Sequence, residues 1–262
     1  MFSLFSNAII SLLPLSFLMG VSGCFIVWHR LTYLCDALAH GTMLGVVLSS
    51  LLHLPPFGVV LGLTLLLGFI LVRHPHLFLD VRLIILGYGS LSLAFLILAW
   101  FPNLVLNPTS YLLGDLLLVD HLDVFILCLL TVIGGLVLRK NWNAILMWSF
   151  DPELAETDGH PVRRFQTIFL IGVSILIVLS VKMIGSLLLP ILLIVPASSV
   201  ALVTSTPRSM MIGSIGMTGA SLIIGLGLSL WKDLPSGAAI SIVSIAFHFL
   251  IPRLASYFKN SD

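Results

Sequence analysis

Asp36 and His40 lie four residues apart in a stretch, 31–52, that is otherwise almost entirely apolar. Four residues carry an α-helix just past one turn, so carboxylate and imidazole project from the same face with Cβ atoms about 6 Å apart. One cation can touch both. An ionised carboxylate in hydrocarbon costs at least ~2.5 kcal/mol, so an intramembrane Asp is expected to face a partner or a water-filled path. Carboxylate oxygen plus imidazole nitrogen suits Zn²⁺, Mn²⁺ or Fe²⁺ better than Na⁺ or K⁺. Two ligands per chain fall short of a structural zinc site, which fits a site that must release its ion. In a symmetric dimer, two copies facing one axis would supply four. The competing reading is an internal ion pair that only packs the bundle. Cys35 would add a soft sulfur ligand, although neighbours on a helix point about 100° apart.

The elements that must position this pair follow from composition. The chain has 262 residues, 59% hydrophobic and only 9% charged, against about 25% charged in soluble domains. Nine apolar runs recur at about 4–28, 34–53, 55–72, 83–101, 120–138, 165–181, 184–204, 209–231 and 235–251. A membrane crossing takes about 20 apolar residues. The expected fold is therefore all-α: a polytopic membrane helix bundle of about eight to nine transmembrane helices, in one domain spanning 1–262. The first run is too long for a signal peptide and has no basic leader, so it is expected to remain a membrane helix.

Nine crossings starting outside put ten basic residues on the inner side: Arg30, Arg73, Arg82, Arg139, Lys140, Arg163, Arg164, Arg208, Arg253 and Lys259. Lys182 and Lys232 are left for the outer side. That asymmetry predicts N-terminus out and C-terminus in. Twelve basic against eleven acidic residues point to no nucleic-acid partner.

Small residues at Gly41 and Gly45, Gly58 and Gly62, and Gly213, Gly216 and Gly219 predict helix-packing faces. Pro190 and Pro196 should kink or interrupt the seventh run. The portion 111–119 reads as a surface or re-entrant helix, with Asp115, Asp120, His121 and Asp123 clustered at the outer mouth. Cys24, Cys35 and Cys128 show no metal or disulfide spacing. His53, His74, His76 and His160 fall at helix ends or in loops, where solvation is expected; His29 and His248 lie near inner ends, where they can snorkel.

The inner loop 139–164 contains a delimited short helix at about 150–160. Asp151 can cap it, Pro152 suits its first position, Glu153 complements the dipole and Gly159 can end it. Two turns are unstable alone in water, and its four carboxylates oppose an anionic leaflet. Docking of a protein partner is expected there.

No G-x-x-x-x-G-K-[ST] loop is present, so any ATP drive must come from a separate subunit and the chain itself is not expected to be an enzyme. HExxH is also absent. Gly20-Val-Ser-Gly23 with His248 as base offers an intramembrane serine protease as one alternative. A proton-coupled secondary cation carrier using Asp36 and His40 is another.

Arg30-Leu-Thr-Tyr-Leu-Cys-Asp-Ala-Leu-Ala-His-Gly-Thr-Met-Leu-Gly45 resembles the signature "R…SY…GDALAH…LxG" of the bacterial zinc/manganese/iron ABC-transporter permeases. Phe150-Asp-Pro-Glu-Leu-Ala155 with Gly159 looks like that family's coupling segment. The stretches 184–197 and 233–240 resemble its "GxLLLxALLIxPA" and "DxPxGPxI" motifs. The resemblance covers about 20–252. It departs at Cys35, where the family usually has Gly, and at Gly41, where it usually has Ala. The lack of a Pro before Gly45 is nearer zinc than manganese members.

The resemblance implies the permease subunit of an ATP-driven importer of divalent transition metal in a bacterial inner membrane, with zinc first and manganese or iron behind. No cofactor is implied besides the transported ion. The implied partners are a cytoplasmic ABC ATPase, an extracytoplasmic metal-binding protein, a second permease copy and membrane lipid. Asp36 and His40 fall on the family's metal-passage residues. The ATPase-coupling positions fall on Asp151, Pro152, Glu153, Leu154, Ala155 and Gly159.

Overall fold

The computed structural model describes residues 2–73, 79–102, 104, 108–115 and 119–259; His74, His76 and positions 116–118 lie outside them. Each of the nine apolar runs contains a helix, because in lipid a chain must satisfy its own backbone groups. The elements are α1 (Phe2–Trp28), α2 (Thr32–Leu52), α3 (Pro56–Arg73), α4 (Leu79–Trp100), α5 (Pro108–Leu113) and α6 (His121–Lys140). They continue with α7 (Trp142–Phe150), α8 (Pro152–Thr157), α9 (Val162–Ile184), α10 (Leu189–Ala201), α11 (Pro207–Lys232) and α12 (Ser236–Lys259). Among the described residues there is no strand, and six helices are long and apolar enough to cross a membrane: α1, α2, α4, α6, α9 and α11. Shorter apolar helices lie within α3, α10 and α12. The expected all-α polytopic bundle is the fold observed.

Helix α1 occupies the middle, packing on α10, α11 and α6, with Leu15, Met19 and Ile26 fully buried. Helix α2 lies between α3 and α4. Two buried hydroxyls of α2 return to their own helix: Thr42 Oγ1 donates to the Ala39 carbonyl at 2.6 Å and Ser49 Oγ to that of Val46 at 2.8 Å, which removes the cost of an unpaired hydroxyl in an apolar interior. Between helices, Ser214 Oγ donates to the Gly20 carbonyl at 3.0 Å.

The small-residue expectation holds where α2 meets α3. A Cβ on Gly41 would sit 2.6 Å from a Leu67 methyl, and one on Gly45 would sit 2.8 Å from the Val60 backbone. It is corrected at Gly58 and Gly62, which face open space because α3 presents Val60 and Leu67 to α2 instead, and at Gly216 of α11, which also faces open space.

The run 184–204 is not one continuous helix. Gly185 has φ +93°, and helix resumes only at Leu189. The 13 residues of α10 span about 20 Å, short of the ~30 Å hydrocarbon thickness. Pro190 sits in the first turn of α10, where its missing N–H has no intrahelical partner to lose. The expected interruption therefore precedes Pro190, and Pro196 alone lies inside the helix.

Into this gap fit the end of α5 and the residues that follow it. The Ser186 N–H donates to the Tyr111 carbonyl at 2.9 Å, Leu187 to Leu112 at 3.3 Å, and Asp115 to Lys182 at 3.2 Å. Gly114 (φ +69°) and Gly185 lie so close that a Cβ on either would strike the other segment's backbone. A Cβ on Gly237 would strike the carbonyls of Ile184 and Leu113. Three glycines thus let α5, the α9–α10 break and the start of α12 meet backbone to backbone.

Candidate functional site

Helix α2 starts after a tight turn in which Arg30 has φ +57° and the Leu31 N–H donates to the Ile26 carbonyl at 2.9 Å. Asp36 and His40 therefore fall in the first half of α2. Helix α4 approaches them closely because Gly87 has no side chain: a Cβ there would lie 2.8 Å from Ala37 Cα. The next residue, Tyr88, places its ring 5.2 Å from that of His40, tilted by 55°.

His40 Nε2 lies 3.4 Å from Asp36 Oδ1. That is longer than the 2.7–3.2 Å typical of an N–H···O bond. His40 is 3% exposed and its Nδ1 has no hydrogen-bond partner, whereas the Asp36 side chain is 28% exposed. A buried unsatisfied nitrogen costs ~1–3 kcal/mol, and the Asp36 contact, made through Nε2, leaves that cost at Nδ1 in place. The arrangement offers an accessible carboxylate oxygen and an adjacent imidazole to a cation. Cys35 is fully buried in the core while Asp36 reaches the surface, so its sulfur points away. Among the described residues no three His, Cys, Asp or Glu side chains gather in one place.

In the acidic cluster around the start of α6, Asp120 and Asp123 are already paired. Lys182 Nζ on α9 reaches Asp120 Oδ2 at 2.6 Å and Asp123 Oδ2 at 2.8 Å. Hydrogen bonding to Lys182, reinforced by its charge, holds the Asp120 carboxyl below its ordinary value. Asp123 Oδ2 also accepts from the Asp120 N–H at 3.0 Å, closing the start of α6. These groups share a cavity of about 660 Å³ with Thr42 and Val46 of α2 and Tyr111 of α5. His121 is exposed at the start of α6.

The short helix anticipated at about 150–160 is α8. Asp151 Oδ1 accepts from the Leu154 N–H at 3.0 Å, Pro152 opens the helix, and Gly159 takes φ +79° just beyond it. Ala155 is fully buried in one cluster with Trp148 and Val162, while Leu154 is 49% exposed. Glu153 and Glu156 are exposed.

His29 does not snorkel. Its ring lies 4.3 Å from that of Trp148, just before α8, and its Nε2 is buried without a partner. Burial pushes it down to about 4. His248 Nδ1 lies 2.7 Å from Ser199 Oγ, and Ser22 lines an apolar groove, so the geometry gives no support to a Ser22–His248 dyad.

Sequence reasoning passed over Tyr88, Gly87 and Lys182. Lys182 carried a signal, being one of two basic residues left on the outer side. Tyr88 carried none, since only helix packing reveals which α4 residue faces His40.

The apolar helices and the carboxylate–imidazole pair set within one of them define a multi-pass membrane protein. The chain belongs to the ABC 3 transport family, whose model matches residues 1–255. It is similar to the "High-affinity zinc uptake system membrane protein ZnuB" of Haemophilus influenzae, 31% identical over 254 residues, 96% of this chain and 97% of that one. It is also similar to the "Manganese import system permease protein ScaB" of Streptococcus pneumoniae, 26% identical over 95% of this chain and 90% of that one. The structure of PsaBC from Streptococcus pneumoniae in complex with Fab shares the fold, with a TM-score of 0.83 at 23% identity, covering 99% of this chain and 95% of that one.

Proposed function

We propose that this chain is the membrane-spanning permease subunit of an ATP-driven importer of divalent transition metal, with zinc as cargo and manganese or ferrous iron as weaker competitors. The observation that carries this reading is the pair on α2: an accessible Asp36 carboxylate beside a buried His40 whose Nδ1 lacks a partner. The sequence likeness to the zinc relative supports zinc first.

The whole chain, 1–262, acts as one permease domain with N-terminus outside and C-terminus inside, in keeping with the ten-to-two distribution of basic residues. Because one chain supplies two ligands, a second copy meets the first across the exposed face bearing Tyr33, Asp36 and Tyr88, bringing four ligands to the axis. Two carboxylates and two imidazoles match tetrahedral zinc, and the carboxylates' exposure lets the ion leave. An extracytoplasmic metal-binding protein delivers it.

The chain is not an enzyme; a cytoplasmic ABC ATPase hydrolyses ATP. It docks on α8, where Asp151, Pro152 and Glu153 build the helix start, Leu154 faces outward, Ala155 anchors the helix to the bundle and Gly159 ends it. Movement of α8 then reaches α1 through Trp148 and His29. A ligand shifts such an equilibrium only by binding one state better, and ATP does so at the closed ATPase.

The test is zinc uptake into vesicles carrying permease, ATPase and binding protein, with manganese and iron in competition. Uptake should require ATP and fall most when excess unlabelled zinc is added. Uptake driven by a proton gradient without the ATPase would overturn the reading.

A further inference from the structure

We infer that the groove between α6 and α9 is a binding site for one anionic phospholipid, an interaction separate from the metal path. The groove encloses about 300 Å³ and is walled by α1, α6, α7 and α9. Its lining is almost wholly apolar, with Trp148, Phe165 and Phe169 towards the α7 end. It opens sideways: Ile133 on one lip and Ile168 and Ile171 on the other are 49%, 53% and 41% exposed. In a membrane that direction is lipid.

Two glycines shape it. A Cβ on Gly172 would meet nothing within 4 Å, and one on Gly134 would meet only a Leu18 methyl at 4.0 Å. Glycine inside a helix costs about 1 kcal/mol relative to alanine, which at Gly41, Gly45 and Gly87 is offset by close helix contact, whereas Gly58, Gly62 and Gly216 face open space. Gly134 and Gly172 make no such contact. What they provide is depth on the two facing walls of one groove.

The head of the occupant is fixed by charge. Val137 and Leu138 of the lining run directly into Arg139 and Lys140, and Phe165 is preceded by Arg163 and Arg164. All four basic residues are exposed, and none pairs with a carboxylate among the described residues. Two basic pairs at one end of an acyl-sized slot match an anionic headgroup with a tail beneath it. An intruding helix, about 10 Å across, is too wide for a cavity of this size, so a second copy of the chain does not fill it. Because Trp148 lines the groove and its ring lies 4.3 Å from that of His29 just before α8, the lipid bears on the segment leading to that helix.

The experiment is quenching of Trp148 fluorescence in the full-length protein, isolated by difference from W148F. The vesicles are phosphatidylcholine doped with brominated-acyl phosphatidylglycerol or brominated-acyl phosphatidylcholine. Half-maximal quenching is expected at a mole fraction at least about fivefold lower for the anionic lipid, the effect of a single engaged basic residue. G172L and G134L, which fill the groove, should abolish Trp148 quenching by either lipid while helix content is unchanged. R163Q/R164Q should narrow the headgroup difference and retain quenching. Equal dependence on both lipids in the native protein overturns the proposal without recourse to any variant. So does a preference that survives G172L, or one that disappears when the ATPase is added, which would assign the basic rim to that partner.

Discussion

Replacing Gly87 by alanine tests whether the α2–α4 contact positions Asp36 and His40. The new Cβ would lie 2.8 Å from Ala37 Cα and 3.3 Å from Ala37 Cβ. The first distance is 0.6 Å inside the 3.4 Å at which ordinary contact begins, and it involves backbone, which has no rotamer to escape into. Something must give, because real Cβ contacts below 3.0 Å essentially never occur, and α4 moves away from α2 by up to that 0.6 Å, at a cost of ~1–3 kcal/mol for overpacking. Tyr88 moves with it, off the face of His40. Gly89, on the same helix, supplies the control, since a Cβ there meets nothing within 4 Å and alanine should stabilise by up to ~1 kcal/mol through helix propensity. Thermal unfolding of both variants in detergent, alongside zinc uptake at several zinc concentrations, gives the comparison. G87A should melt earlier and need more zinc for half-maximal uptake, while G89A should match or exceed the native protein. If G87A melts and transports like the native protein, or G89A is equally damaging, then Gly87 and Tyr88 do not set the geometry of the pair.

Three further outcomes follow from the same structure. D151A removes the acceptor for the Leu154 N–H and should cost ~1 kcal/mol of local helix stability, read as weaker ATPase association at unchanged permease folding. For His29, the folded value of about 4 lies below the ordinary 6.5; the unfolded chain therefore takes up a proton first, and stability should be full above pH 6.5 and fall between pH 6.5 and 4. H29F, which keeps the aromatic contact with Trp148, should flatten that part of a melting-temperature profile. G185A forces a Cβ onto a residue at φ +93° that abuts the backbone of Leu112–Gly114, so it should be the most destabilising of these substitutions and lower the yield of folded protein.

The helices were legible in the sequence because bilayer thickness imposes a minimum apolar length, and each of the nine runs contains one. Asp36 and His40 were legible because a charge in an apolar run stands out and their spacing is set by one helix. What escaped depended on packing between segments distant in sequence. Gly58 and Gly62 have the same spacing as Gly41 and Gly45, yet only the second pair touches a neighbour. The break at Gly185 has no apolar-periodicity signature; it exists because Gly114 and Gly237 close on it from other parts of the chain. Lys182 satisfies Asp120 and Asp123 from another helix, a pairing that no local spacing announces. Likewise His29, expected to reach for water, is held against Trp148 by the turn that follows α1.

The most direct test of the central claim is zinc K-edge X-ray absorption of the purified permease–ATPase complex equilibrated with zinc. The expected first shell is nitrogen and oxygen at about 2.0–2.2 Å, with imidazole scattering that disappears in H40A and no sulfur at the ~2.3 Å of a thiolate. A sulfur shell, or imidazole scattering unchanged in H40A, would contradict the account.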